Sequence, residues 1–290
     1  MELITAEGLP RYIPMKFGID HKLEFLKGSL HQADSALVAY SGGVDSTLLL
    51  KLCQDLLGDR VMAVTAITPL YPSRELNAAI ETARLLSVRH MVIELDPLTD
   101  TRFAANPPEK CYYCKAALFA CLRDIAAEHG LSHVFDGSNY DDLGDNRPGA
   151  RAALELGVCS PLQEAGLSKQ EIRELAKAFS LPNWDKPSEA CLASRFPAGM
   201  PITREDLALL DEAEYVLSRM GIRQVRVRHY GDLAKIEVGA DEIGFVVADA
   251  RRQQIVARFR ELGYRHVTLD LEGYRTGSMN EGNVREFRAA

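Results

Sequence analysis

The 290-residue sequence has few of the features that mark secreted or membrane proteins. Its six cysteines are too few for a disulfide scaffold in a chain of this length. No apolar run approaches the roughly 20 residues that cross a bilayer. The first residues lack the basic segment and apolar core of a signal peptide. We therefore expect a cytoplasmic protein with reduced cysteines and no membrane partner.

An excess of positive charge is also missing. Lys and Arg number 34 against 41 Asp and Glu, which gives a net charge of −7. Proteins that follow a nucleic-acid backbone usually present a broad basic face, so this balance argues against a long nucleic-acid partner. Hydrophobic residues make up 47% of the chain, enough to build cores for two domains.

The most informative stretch is residues 37–50, which read Leu-Val-Ala-Tyr-Ser-Gly-Gly-Val-Asp-Ser-Thr-Leu-Leu-Leu. Its apolar beginning predicts a buried parallel strand, and its apolar end predicts the first turns of a helix. Gly42 and Gly43 stand between them and allow a tight turn with close approach of a ligand to the backbone. The pattern therefore predicts a strand–turn–helix unit with a binding site at the turn.

The residues at this turn suit a phosphate group. The Ser41 and Ser46 hydroxyls, with backbone N–H groups at the helix start, would surround an anion. Asp45 would repel phosphate unless a cation bridges the two, and Mg²⁺ is the natural bridge. A glycine-rich turn without a ligand is the alternative.

The turn is not an ordinary P-loop, because Lys51 comes too late after the second glycine. It instead resembles the PP-loop of the N-type ATP pyrophosphatases. That resemblance implies that ATP is split into AMP and pyrophosphate, with ATP and Mg²⁺ as cofactors.

Hydrophobic periodicity predicts that residues 1–200 form an α/β domain with a parallel, Rossmann-like sheet. Asn106 is the predicted N-cap of the helix over 107–128, and Ser168 with Glu171 predicts a capping box. Predicted strands span 37–40, 61–68, 91–95 and 133–136, and predicted helices span 18–35, 44–57, 73–86, 107–128 and 168–179.

The pattern changes after residue 203. Residues 203–276 predict a smaller α+β domain for substrate binding or oligomerisation, and 277–290 form a polar tail. The segment 182–203 contains four prolines and is the candidate lid. The predicted order is helix 204–220, strands 224–229 and 234–238, helix 248–262 and strand 267–271.

Three cysteines form a candidate metal or catalytic site. Cys111 and Cys114 lie three residues apart, on one face of a predicted first helical turn where the thiolate form is favoured. Cys191 lies in the segment 182–203. A [4Fe–4S] cluster with one open iron, a structural zinc and a redox dithiol all remain open. The other cysteines, Cys53, Cys121 and Cys159, read as ordinary buried residues.

Several segments together resemble the LarE family of ATP-dependent sulfur transferases. They are the PP-loop, Asn-Pro-Pro-Glu-Lys-Cys-Tyr-Tyr-Cys-Lys at 106–115, Asp-Gly-Ser-Asn-Tyr-Asp-Asp at 136–142, Lys-Pro-Ser-Glu-Ala-Cys-Leu-Ala-Ser-Arg at 186–195, and Gly-Tyr-Arg-Thr-Gly at 273–277. The resemblance spans most of the chain.

The resemblance implies a substrate and a reaction. The carboxylates of pyridinium-3,5-biscarboxylic acid mononucleotide would be adenylated and converted to thiocarboxylates, a step in making the nickel-pincer nucleotide cofactor. The three-cysteine pattern implies sulfur delivery from a [4Fe–4S] cluster on Cys111, Cys114 and Cys191; sacrifice of the Cys191 sulfur is the alternative. The resemblance also implies a homo-oligomer, with a hexamer as the suggested form, and a sulfur donor system.

Other polar residues are weaker candidates. Arg195, Arg226 and Arg228 could bind a substrate phosphate, against the alternatives of a salt bridge or an exposed sheet face. Asp141 and Asp142 could orient Mg²⁺ or the lid. Trp184 could stack on an aromatic ligand or anchor the hinge.

Three rival functions remain open at this point. A PP-loop tRNA thiolase also combines a PP-loop with cluster-binding cysteines, but the acidic charge argues against RNA. An ammonia-using PP-loop ligase of the NAD or GMP synthase type would need no cysteine set. A non-catalytic, zinc-stabilised nucleotide-binding module would bind zinc and turn over no ATP.

Overall fold

A computed structural model describes residues 17–144, 148–187 and 190–275. The predicted polar tail and the chain start lie outside these residues. The chain divides into two compact units. Among the described residues, the first unit comprises 17–68, 72–103, 109–144 and 148–187, and the second comprises 69–71, 104–108 and 190–275.

The first unit alternates strands and helices, as predicted. Its strands are β1 (Ala36–Ala39), β2 (Val61–Ile67), β3 (Arg89–Glu94) and β4 (His133–Phe135). Its helices are α1 (Ile19–His31), α2 (Val44–Leu57), α3 (Ser73–Leu85), α4 (Thr101–Ala104), α5 (Lys110–Glu128), α6 (Pro148–Glu155), α7 (Pro161–Glu164) and α8 (Lys169–Ala178).

The four strands form one parallel sheet in the order β3-β2-β1-β4. Successive residues of β1 face opposite cores: Ala36 and Val38 pack into the cluster that includes α1, α2 and α8, and Leu37 packs into the cluster under α5. Burial of both faces explains the continuous apolar reading of β1. The predicted α/β class with a parallel sheet is confirmed.

The predicted N-terminal cap is confirmed for α8 and is wrong for α5. Ser168 and Glu171 make the predicted capping box at the start of α8. The predicted cap at Asn106 is wrong: α5 begins at Lys110, and Glu109 precedes it as N-cap. Asn106 has a left-handed φ of 55° and donates to the carbonyls of Pro197 and Met200. Those long-range bonds carry Asn106 into the second unit, which no local pattern shows.

The second unit follows the predicted α-β-β-α-β order, with one additional short helix before the second predicted helix. Its sheet has the order β5-β6-β7, with β5 and β6 antiparallel and β6 and β7 parallel. The elements are α9 (Arg204–Arg219), β5 (Val225–Tyr230), β6 (Leu233–Val238), α10 (Ile243–Val247), α11 (Asp249–Glu261) and β7 (His266–Leu269).

The boundary between the units differs from the predicted one near residue 200. Cys191 and the short helix Leu192–Arg195 belong to the second unit. The Leu192 N–H donates to the Leu70 carbonyl at 2.9 Å, which ties this segment to residues 69–71 of the same unit. Separately, no helix in the described ranges is both long and apolar enough to cross a membrane.

Candidate active site

The turn between β1 and α2 lies at the carboxyl end of the central strand β1. Gly43 is the N-cap of α2, and no side chain of the described residues caps this helix. The first N–H groups of an α-helix have no partner within the helix. The turn therefore presents unpaired donors and the positive end of the helix dipole to a ligand.

The two predicted serine hydroxyls lie together in this turn. Ser41 Oγ and Ser46 Oγ are 3.1 Å apart, and Ser46 Oγ also donates to the Gly43 carbonyl at 3.2 Å. The Gly43 N–H donates to Ser41 Oγ at 3.3 Å. The structure thus brings Ser41, Gly42, Gly43 and Ser46 together in one turn, and pyrophosphate binding there stays a prediction.

Gly42 and Gly137 let the backbone close in around this turn. Gly42 has φ of +73°, and a Cβ there would lie 2.8 Å from the Ala79 Cβ of α3. A Cβ on Gly137, just after β4, would lie 3.0 Å from the Ser46 nitrogen. Both glycines are thus required by space, and Gly42 by conformation as well.

Substituting Gly42→Ala should therefore displace the turn and sharply lower any activity that depends on it. The matched control is Gly58→Ala, because Gly58 also has a positive φ (+57°) but an added Cβ there meets no atom within 4 Å. We expect both variants to lose stability, each by about 1 kcal/mol or more, because an L residue rarely adopts a positive φ. Only Gly42→Ala should lose ATP–pyrophosphate exchange. Exchange and urea unfolding are measured on both variants. Equal exchange in the two variants would contradict the role of Gly42 in shaping the turn.

Asp45 lies on the first turn of α2 and pairs with Lys169 of α8 through one carboxylate oxygen, Oδ2. The other oxygen, Oδ1, is buried and has no hydrogen-bond partner within the described residues. Burial raises the pKa of the Asp45 carboxyl, and Lys169 lowers it less. A buried carboxylate oxygen without a partner is costly, and it fits a ligand for a hard cation such as Mg²⁺.

Lys169 is a site residue that the sequence analysis missed. Its Nζ contacts Asp45, and its backbone N–H donates to Asp141 Oδ2 at 2.9 Å. Asp141 thereby fixes the start of α8, and Asp142 accepts from the Asn139 N–H at 2.9 Å. The capping box at 168–171 marked the helix start, but only the fold brings α8 against α2.

An open cavity of about 540 Å³ lies beside Lys169 in the first unit. The Lys177 ammonium lies 4.7 Å from the centre of the Trp184 ring, so the predicted stacking face of Trp184 already holds a cation. The lining residues are Asp141, Lys169, Gln170, Arg173, Glu174, Lys177 and Trp184.

The cysteines divide between the two units. Cys111 and Cys114 lie on the first turn of α5, with Cys111 exposed, and Cys191 precedes the short helix Leu192–Arg195 of the second unit. Across the described residues, no three His, Cys, Asp or Glu side chains are gathered so that they could hold a metal ion. The three-cysteine cluster therefore stays a prediction.

Arg195 is almost fully buried, and its guanidinium donates hydrogen bonds to described residues of the second unit. Its guanidinium forms a two-bond pair with Glu214, at 2.9 and 3.0 Å, and Nη1 donates to the carbonyls of Ala190 and Cys191. Burial alone would lower the pKa of Arg195, but the Glu214 carboxylate outweighs burial and raises it. Arg195 therefore holds the Cys191 segment, and phosphate binding by Arg195 stays a prediction.

Replacing Arg195 with methionine would leave Glu214 buried without its partner, and we expect a loss of about 3 kcal/mol in unfolding free energy. The control is Arg223→Met, because the Arg223–Asp241 pair is 80% and 74% exposed. Such exposed pairs contribute about 0–1 kcal/mol. Urea denaturation measures both, and equal losses would show that the buried pair does not stabilise this segment.

Arg226 and Arg228 lie on β5 of the second unit and are buried rather than exposed. Arg228 pairs with the fully buried Glu237 at 2.7 Å and donates to the Ser194 carbonyl at 3.2 Å. The Arg226 guanidinium lies 5.3 Å from the centre of the Tyr274 ring. The alternative that these two arginines lie on an exposed sheet face is therefore wrong. Their binding of a substrate phosphate stays a prediction.

Comparison with known proteins relates this sequence to a family. The NAD synthase family model matches residues 19–127, which include the PP-loop and α2. The pyridinium-3,5-bisthiocarboxylic acid mononucleotide synthase of Lactiplantibacillus plantarum is 40% identical over 258 residues, 88% of this chain and 92% of its own. The chain belongs to the LarE family.

Two further relatives extend over similar lengths. An uncharacterized protein of Synechocystis sp. is 42% identical over 262 residues, 90% of this chain and 98% of its own. An uncharacterized protein of Methanocaldococcus jannaschii is 33% identical over 258 residues, 88% of this chain and 98% of its own. The LarE-family likeness thus includes both units and the PP-loop.

Proposed function

We propose that this LarE-family protein is an ATP-dependent sulfur transferase. Its substrate is pyridinium-3,5-biscarboxylic acid mononucleotide, and its product carries thiocarboxylates for the nickel-pincer nucleotide cofactor. The observation that carries the ATP-dependent half is Asp45, whose buried, unpartnered oxygen lies on the first turn of the uncapped helix α2. The 40% identity to the synthase of L. plantarum supports the substrate.

The first half-reaction activates a carboxylate. A substrate carboxylate oxygen attacks the α-phosphorus of ATP, the bond to the bridging oxygen of the β-phosphate breaks, and pyrophosphate leaves. The backbone N–H groups of Gly43 and the first turn of α2 suit the charge that develops on pyrophosphate. Asp45 would hold Mg²⁺, which neutralises phosphate charge. Lys169, whose Nζ pairs with Asp45, would offer the same ammonium group to a phosphate oxygen.

The second half-reaction delivers sulfur. A sulfur nucleophile attacks the carbonyl carbon of the acyl-adenylate, and AMP leaves with the former carboxylate oxygen. The candidates to supply it are Cys111, Cys114 and Cys191, with a [4Fe–4S] cluster as the carrier. If Cys191 gave its own sulfur, its Cβ–S bond would break after addition, with loss of the Cα proton, and dehydroalanine would remain.

ATP–pyrophosphate exchange tests the first half. We expect labelled pyrophosphate to enter ATP only when Mg²⁺ and the pyridinium dicarboxylate mononucleotide are both present. Exchange that depends instead on the substrate of an ammonia-using ligase would contradict the proposed activation. The absence of any exchange would contradict it as well. Retention of bulk tRNA at moderate salt, with tRNA-dependent ATP consumption, would favour the tRNA thiolase.

Metal and mass analysis test the second half. After anaerobic purification or reconstitution we expect about four irons per chain. About one zinc per chain without exchange would favour the non-catalytic module. Intact mass after turnover separates the donors, because a sacrificed Cys191 leaves a chain lighter by one H₂S.

The proposed partners follow from the same chemistry. If a cluster on Cys111, Cys114 and Cys191 supplied the sulfide, each turnover would consume one sulfide, so a sulfur donor system would be needed to replace it. We also infer a homo-oligomer, for which light scattering of the purified protein is the test. A monomer at micromolar concentration would contradict that assembly.

A further inference from the structure

We propose that Asn183 is a positioning residue that aims the PP-loop backbone at pyrophosphate. This inference rests on the proposed function, and it assigns a role to one residue of the segment 182–203 that the sequence analysis did not single out. Asn183 follows α8 and belongs to the first unit, as does the PP-loop. Its side-chain amide donates to the Gly42 carbonyl and to Thr47 Oγ1, each at 2.9 Å.

The orientation of this amide is determined by its partners. The Gly42 carbonyl can only accept, so the NH₂ end of Asn183 must face it. Thr47 is fully buried in α2, and its hydroxyl lies 3.5 Å from the Tyr40 hydroxyl. One side chain therefore connects the turn to the interior of the helix that follows it.

The bond to Gly42 determines where the next N–H points. A trans peptide directs its C=O and N–H to opposite sides, and no cis peptide occurs in the described part of the chain. Asn183 holds the Gly42 carbonyl, so the Gly43 N–H points away from Asn183. Among the described residues, that N–H donates a long bond of 3.3 Å to the hydroxyl of the exposed Ser41, and a phosphate oxygen can replace this acceptor.

The side-chain oxygen of Asn183, Oδ1, indicates a functional role for this residue more than a stabilising one. Its Oδ1 is buried and accepts no hydrogen bond from any described residue. An unsatisfied buried acceptor is costly, so an apolar side chain of similar volume would relieve that cost while losing two donated bonds. Without the Asn183 bond the peptide between Gly42 and Gly43 can rotate, and the Gly43 donor is no longer oriented before the ligand arrives.

The test is Asn183→Leu, with pyrophosphate binding and thermal unfolding measured on the full-length protein. We expect the Kd for Mg-pyrophosphate to rise about tenfold, the loss of one oriented, charge-assisted bond. The melting temperature should stay within a few degrees. Asn183→Asp, which sets a carboxylate against the Gly42 carbonyl, should weaken binding further. The control is Gln163→Leu, because the Gln163 amide also donates to a carbonyl, that of Asn139 at 3.2 Å.

The outcomes separate this role from the others. Asn183→Leu with unchanged pyrophosphate affinity would overturn the proposal, whatever its melting temperature. A second outcome is a lower melting temperature together with an unchanged pyrophosphate affinity, measured about 20 degrees below the melting temperature of the variant. That outcome would show a purely structural role for Asn183 and would also overturn the proposal. If the unsubstituted protein binds no pyrophosphate, the proposed function itself fails, and that result is distinct.

Discussion

Replacing Asp45 with asparagine is expected to lower ATP–pyrophosphate exchange by about a thousandfold or more, because the amide cannot hold Mg²⁺ against the phosphates. The substitution keeps the size of the side chain. The two oxygens of the Asp45 carboxylate differ in their surroundings. One is paired with Lys169, and the other is buried without a hydrogen-bond partner among the described residues. Initial exchange rates at saturating Mg²⁺ measure the effect.

The matched control is Asp55→Asn on the same helix. Asp55 forms a surface pair with Lys51 one turn away, at 2.5 Å and 43% exposed. Its loss should leave exchange unchanged and cost at most about 0.5 kcal/mol. If Asp45→Asn retained exchange within tenfold, Asp45 would not be the Mg²⁺ ligand.

Stability should change in the opposite direction from activity at Asp45. Burial raises the pKa of this carboxyl, so the folded state binds the proton more tightly than the unfolded chain. Such a group favours folding when protonated, and that contribution is lost as pH rises through the raised pKa. At neutral pH the ionised carboxylate is therefore a cost, and Asp45→Asn should unfold at an equal or higher temperature.

Replacing Cys191 with serine is expected to abolish thiocarboxylate formation while ATP–pyrophosphate exchange continues. A serine hydroxyl can neither ligate iron as a thiolate nor give up sulfur. The activating turn needs no thiol, and it belongs to the first unit while Cys191 belongs to the second. Product mass and exchange, measured on the same preparation, separate the two half-reactions.

Cys111→Ser distinguishes the two sulfur sources. Cluster delivery requires Cys111, so its loss should remove both iron and product; a sacrificed Cys191 would still give one turnover. Cys121→Ala is the control on the same helix. Burial raises the pKa of the Cys121 thiol most, and the nearby Asp124 and Glu128 carboxylates raise it further, so the thiol form is favoured. Full product from Cys191→Ser would contradict sulfur delivery through this residue.

Local patterns in the sequence were sufficient for most of the fold. The helix α2 runs from Val44 to Leu57 as predicted, because apolar spacing and Gly58 mark it without help from the rest of the chain. The parallel sheet followed from apolar strands separated by helices. The N-cap of α5 failed because the bonds of Asn106 go to residues more than 90 positions away.

The candidate site was determined in part by the same local patterns. Ser41, Gly42, Gly43, Asp45 and Ser46 are adjacent in sequence, so their gathering in one turn required only a strand followed by a helix. The partners of that turn were decided by the tertiary structure. Lys169 and Asn183 come more than 120 residues later, and only the packing of α8 beside α2 brings them to Asp45 and Gly42.

The arginines show the same division most clearly. The sequence placed Arg226 and Arg228 on one face of a strand, and the strand is there. It could not show that this face is buried, because burial depends on Ser194, Glu237 and Tyr274, which other segments supply. The sequence alone determined the turn and its chemistry. The tertiary structure decided which distant side chains hold that turn in place, since contacts between distant residues leave no periodic signal.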